Sequence, residues 1–164
     1  LLVSNSPQGH YDYPISHCDK SVLYWCLERR MVPSLAEIFY TPPGGSIGIH
    51  VDRVRGQDNP AKLNWAYGGA GSTMRWYSQT DNTEPKIMTT PIGTGYALFD
   101  RQSCTLVHET EIGQPTLVNA GIPHDVTNPD SHGRWCVSIT LADLVTRSCI
   151  SFEQAAQRFH DCMA

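Results

Sequence analysis

The stretch Arg134 to Leu141 constrains the fold more than any other part of the chain. Arg134, Cys136, Ser138 and Thr140 alternate there with Trp135, Val137, Ile139 and Leu141. Successive side chains of a strand point to opposite faces, so the two sets separate. The apolar set needs a partner layer to pack against. The polar and small set faces either water, as on a half-exposed strand, or the inside of a barrel that opens onto a ligand. Alternation alone leaves both readings open.

The rest of the chain supplies partners for such a strand. Short strands are expected at Ala36–Tyr40, Ile47–Asp52, Lys62–Tyr67, Thr73–Tyr77, Gly95–Asp100, Thr105–Glu111, Pro115–Asn119 and His124–Thr127. The 13 Gly and 11 Pro are spread along the 164 residues and punctuate these segments. Many short strands between turn formers suggest a sandwich or barrel. Two segments read as helices instead. Lys20 to Met31 places Val22, Leu23, Cys26, Leu27 and Arg30 at helical spacing, with Asp19 or Ser16 as cap and Pro33 as stop. Ser151 and Gln154 have the spacing of a capping box, and Phe152, Ala155, Ala156 and Phe159 form a stripe behind them. A helix at each end would cover the outside of a barrel. The length suits one domain, 1–164, with its core over 36–141.

Composition removes several function classes. The net charge of -4 and the lack of a basic stripe disfavour a duplex nucleic-acid partner. The pair Arg29-Arg30 reads as a solvated helix end. No run approaches the ~20 apolar residues of a membrane span, so no membrane is expected. The start, Leu1 to Ser6, does not have the charge and apolar pattern of a signal peptide. Cys18, Cys26, Cys104, Cys136, Cys149 and Cys162 contain no C-x-x-C pair. Several sit in apolar periodic segments, where free Cys acts as a small hydrophobe, which points to a reducing, cytoplasmic setting.

The chemistry is carried by histidines and one arginine. His50-Val51-Asp52 lies in a strand segment, and its i, i+2 spacing puts imidazole and carboxylate on one face. His124 opens a later strand and can supply a third ligand. Two His and one carboxylate suit Fe(II) and leave three coordination positions open. Ten residues beyond His124, Arg134 opens the last strand on its polar face. A buried guanidinium there can hold a carboxylate bidentately, and Ser138 on the same face can add a hydroxyl. These placements favour the barrel that opens inward.

Here the chain resembles the Fe(II)/2-oxoglutarate-dependent oxygenases, in their prolyl-hydroxylase-like branch. The stretch Tyr40-Thr-Pro-Pro-Gly44-Gly-Ser-Ile-Gly-Ile-His50-Val-Asp52 resembles that family's approach to its H-x-D. Pro115 to His124, followed by Arg134-Trp-Cys-Val-Ser138, resembles its distal His and trailing Arg. The likeness runs from about Ala36 to Leu141. It departs where some branches place a Ser two residues after the Arg: Cys136 stands there, and Ser138 lies at four. The resemblance implies a double-stranded β-helix (jelly-roll) barrel with flanking N- and C-terminal helices. It implies Fe(II) held by His50, Asp52 and His124, and 2-oxoglutarate as co-substrate held by Arg134. It also implies O2 as a partner and hydroxylation of an unactivated C–H. Asn64 and Tyr77, on expected inner strands, are further candidates for contact with 2-oxoglutarate or substrate.

Two other classes use the same residues. One is a metal-dependent hydrolase with an activated water at the open position. The other is a non-catalytic metal-binding barrel. The substrate is expected to be a small molecule or peptide-like, polar, with an anionic group. Arg53, Arg55 and Arg75 are expected to gather at the mouth, with the loops Arg53–Ala61 and Ser78–Thr90 as lids. His10, His17, His132 and His160 receive no role, and His108 reads as structural.

Overall fold

A computed structural model of the chain describes residues 9–53, 60–90, 92–113 and 115–162. The elements in order are β1 (Gly9–Asp12), α1 (Lys20–Glu28), β2 (Met31–Thr41), β3 (Ser46–Arg53), β4 (Ala61–Tyr67), β5 (Thr73–Gln79) and β6 (Lys86–Thr89). They continue with β7 (Gly95–Leu98), β8 (Cys104–Glu111), β9 (Thr116–Asn119), β10 (His124–Thr127), β11 (Arg134–Asp143) and α2 (Phe152–Arg158). One sheet has the order β1-β2-β11-β4-β9, and the other β6-β7-β3-β10-β5-β8.

The pairings show how the chain winds. β5 pairs with β8, β4 with β9, β3 with β10 and β2 with β11, all antiparallel. The chain is therefore a two-stranded ribbon whose successive rungs fall alternately in the two sheets. The double-stranded β-helix expected from the sequence is the architecture observed. β1, β6 and β7 extend the sheets at their edges.

The two faces of the five-stranded sheet explain the sequence patterns. Leu63 on β4 and Ile139 and Leu141 on β11 turn outward, into a cluster with Cys26 of α1 and Ala155 and Phe159 beside α2. Each fully buried side chain of this size contributes ~1.5–3 kcal/mol. The apolar faces of these strands are thus spent under the helices. Their polar faces, Lys62 and Asn64 on β4 and Arg134, Cys136 and Ser138 on β11, line the space between the sheets. A smaller cluster of Met74, Ile112, Val118 and Val126 fills part of that space.

α1 is capped by Asp19, whose carboxylate accepts from Ser21 N, and α2 opens with a full capping box between Ser151 and Gln154. α1 stops at Glu28, three residues short of expectation. Arg30 adopts φ 57 and turns the chain into β2. Met31 thus begins a strand, and Pro33 lies inside it rather than ending a helix. Proline is tolerated there because β11 pairs irregularly beside it and β1 covers β2 only from Glu37 to Tyr40. Arg29 is also not a solvated end: its guanidinium bonds Asp161 at 2.6 Å and lies over Trp25. β1 and β6 were not expected from sequence, and part of the supposed lid Ser78–Thr90 is the strand β6. No disulfide joins any of the six cysteines. No described helix is long and apolar enough to cross a membrane.

Candidate metal centre

β3 and β10 lie side by side, with His50 directly opposite His124. The pairing slips by one residue beyond that point, so that Val126 faces Ile47. The extra residue on β3 lets both Ile47 and His50 look into the cavity, where strict alternation would put them on opposite faces. Asp52, two residues beyond His50, shares its face. The candidate ligand atoms of His50, Asp52 and His124 all lie within 4.8 Å of one another.

Both imidazoles are oriented for ligation. His50 Nδ1 bonds the Gly48 carbonyl at 2.7 Å, and His124 Nδ1 bonds the Ile122 carbonyl at 2.8 Å. A carbonyl only accepts, so each Nδ1 carries a proton, which leaves Nε2 as the ring nitrogen available to a metal. Burial, reinforced by His50 alongside, holds the His124 pKa down at about 4, so its ring is neutral at ordinary pH. Asp52 lies on the other side of this balance. Burial opposes its charge, but the Lys62 ammonium, through its charge and its hydrogen bond, holds the carboxyl well below the usual range. Two imidazole nitrogens and one ionised carboxylate fit a divalent first-row metal such as Fe(II).

The three groups open onto a cavity of about 420 Å³ between the sheets. Arg134 lines it, 3% exposed, on the same face as Cys136 and Ser138. Its Nε has no hydrogen-bond partner among the described residues, and neither does Asn64 Oδ1. Buried polar groups are nearly always paired, so these two leave hydrogen-bonding capacity open in residues that line the cavity. The turn between His124 and Arg134 is tied down by Asn128. Its Nδ2 donates to the carbonyls of Thr41, Pro42 and His132, and its Oδ1 accepts from Ser72 Oγ and Asp130 N.

Two expected contacts are not in the cavity. Tyr77 lies on the outer face of β5, because Met74 points inward and Tyr77 stands three residues further along the same strand. Its hydroxyl donates to Asp125 at 2.8 Å, and its ring packs with Ile49 and Cys104. Arg75 also faces away, binding Asp125 through Nε and Nη2 at 2.7 Å each. The side chain of Arg53 and all of Arg55 lie outside the described residues, as does most of the expected lid after Arg53.

Three cavity residues escaped the sequence reading: Lys62, Glu37 and His10. Lys62 Nζ lies 2.8 Å from Asp52 Oδ2 and 2.9 Å from Glu37 Oε2. Glu37 Oε1 in turn meets His10 Nε2 at 3.0 Å. Lys62 and Asn64 occupy the polar face of Ala61-Lys-Leu-Asn-Trp-Ala-Tyr67, the same alternation that marks β11. That signal was available. Glu37 is a lone charge in a strand apolar on both faces, and His10 lies on β1, so neither had a comparable pattern.

No protein-family model matches the chain, and no curated protein matches it by sequence. Solved structures match by shape. An oxalate oxidase in complex with glycolate aligns at 9% identity, over 89% of this chain and 56% of its own, with TM-score 0.40. Vicilin from Corylus avellana aligns at 9%, over 97% and 38%, with TM-score 0.44. The polyketide cyclase RemF from Streptomyces resistomycificus aligns at 14%, over 81% and 64%, with TM-score 0.35. The chain spans about half the length of the first such structures, 48% and 56%. Likeness this slight carries no weight for activity. What the chain itself defines is a double-stranded β-helix with a His/Asp/His cluster inside it.

Proposed function

We propose that the chain is an Fe(II)- and 2-oxoglutarate-dependent oxygenase domain. One observation carries this reading: the three-ligand cluster shares a cavity with a buried arginine whose Nε is unpaired. Water activation by a metal hydrolase has no use for such a group. A charge count points the same way. Lys62 and Arg134 balance Glu37 and Asp52 in the buried cavity. A bound divalent cation leaves two positive charges over, which a dianion such as 2-oxoglutarate offsets. Unbalanced buried charge is costly, so this match favours a dianionic co-substrate.

In this reading His50, Asp52 and His124 hold Fe(II). The metal supplies the O2 chemistry that couples oxidative decarboxylation of 2-oxoglutarate to oxidation of a C–H bond. The protein's own residues bind, orient and exclude water. Arg134 holds the far carboxylate of 2-oxoglutarate, with Ser138 and Asn64 beside it. Met74, Val118 and Val126 keep that end dry. Tyr96, Thr89, Thr90 and Thr94 line the cavity from β6, β7 and the turn between them, and a small or peptide-like polar substrate enters past them. An anionic anchor at the mouth has lost Arg75, so no charge on the substrate is proposed.

Anaerobic addition of Fe(II) and 2-oxoglutarate tests the reading. A visible charge-transfer band and, with O2, succinate are expected. Arg134→Ala removes a charge-assisted bidentate contact of about 3 kcal/mol, so 2-oxoglutarate affinity falls roughly a hundredfold with metal affinity unchanged. Wild-type protein that binds the metal but yields neither band nor succinate supports the hydrolase or the non-catalytic barrel instead.

A further inference from the structure

Asp52 does not present a free carboxylate to the cavity. Its Oδ1 faces His50 Nε2 at 3.6 Å, while its Oδ2 is taken by Lys62 at 2.8 Å. Lys62 comes from β4 in the opposite sheet, is 4% exposed, and is gripped from behind by Glu37, which is 1% exposed. We propose that Lys62 is a positioning residue that reserves one oxygen of Asp52, so that the aspartate makes a single metal bond. This rests on the metal-site reading above and deepens it.

The physical case is a competition for one oxygen. A carboxylate can bind a metal through one oxygen or both. For Asp52 to use both, Oδ2 must turn from Lys62 and leave a buried ammonium with Glu37 as its one carboxylate. That is unfavourable, because a buried charge that loses a partner is costly. The count of open positions depends on the outcome. With two histidines and one carboxylate oxygen, a six-coordinate metal keeps three positions. A bidentate aspartate leaves two, both of which a chelating 2-oxo acid would fill. Lys62 therefore protects the third position. Glu37 keeps Lys62 in place, and His10 occupies the second oxygen of Glu37.

Co(II) is the probe, because its visible absorption reports coordination number without turnover. The full chain is compared with Lys62→Met and with Lys62→Met combined with Glu37→Gln. The double variant removes the stranded carboxylate and keeps the test usable if the single variant misfolds. Expected in the variants are Co(II) binding at least as tight as wild type and an altered d–d spectrum. A folded variant with the wild-type Co(II) spectrum overturns the proposal. So does a variant that loses Co(II) while its circular dichroism is unchanged. Wild-type protein that binds Co(II) but not 2-oxoglutarate refutes the oxygenase reading alone, and the spectra still decide on Lys62. Wild-type protein that binds no Co(II) overturns both.

Discussion

Tyr77→Phe separates a structural tyrosine from a co-substrate contact. Tyr77 is 1% exposed, and its hydroxyl donates to Asp125 Oδ2 at 2.8 Å. Burial and the Asp125 carboxylate push the phenol pKa up to about 12, so it remains a donor at any ordinary pH. Removing the hydroxyl keeps the ring against Ile49 and Cys104 and deletes one hydrogen bond to a charged acceptor. Such bonds contribute ~1.5–3 kcal/mol. Asp125 keeps both bonds from Arg75, so the loss falls at the lower end, about 1.5 kcal/mol. For a domain of this size that lowers Tm by roughly 3–6 °C. Calorimetry and urea unfolding measure the loss, and titration of the metal-loaded protein measures 2-oxoglutarate affinity, which should not change. An unchanged Tm together with tenfold weaker 2-oxoglutarate binding would refute the placement of Tyr77 outside the cavity.

Asn128→Ala strands three backbone carbonyls at the β10–β11 turn. It should cost about 2–4 kcal/mol in urea unfolding, since each buried group left unpaired costs ~1–3 kcal/mol. A loss below about 0.5 kcal/mol would show that the turn holds without it. His124 predicts a pH effect in the metal-free protein. Its folded pKa is depressed to about 4, so the unfolded chain takes up the proton first as pH falls. Stability should drop as pH falls from 6.5 toward 5, by up to about 2 kcal/mol, before the carboxylates titrate. His124→Gln should remove that slope, and a wild-type profile already flat in this window would contradict the neutral, buried ring.

The sequence was most readable where one strand face is apolar and the other polar. β11 shows this, and so does the His50/Asp52 pair, because a period of two fixes which side chains share a face. The helix caps were equally plain, since Asp19, Ser151 and Gln154 act within one turn. Tyr77 was misplaced because nothing in the sequence said which face of β5 turns inward: Met74 does, and Tyr77, three residues on, falls on the other face. Arg75 was misread because its partner, Asp125, is adjacent only through strand pairing. Its sequence distance of 50 residues hides a 2.7 Å contact. The chain of His10, Glu37, Lys62 and Asp52 draws on four strands from both sheets. No local pattern encodes it, although the polar face of β4 offered the lysine.

The three ligands differ in how far their support reaches along the chain. Each histidine is steered by a carbonyl two residues before it, so its aim is set within one short segment. The aspartate is steered by a lysine from the facing sheet. Loosening the contact between the sheets would therefore alter the aspartate before it alters either histidine. β3 and β10 are neighbours in one sheet, and a partly opened chain that keeps this pair would keep two aimed imidazoles. Such a chain would still carry Asp52 beside His50 on β3, with neither carboxylate oxygen reserved. Closing the barrel would then set how many oxygens the carboxylate offers, not whether it is there to bind.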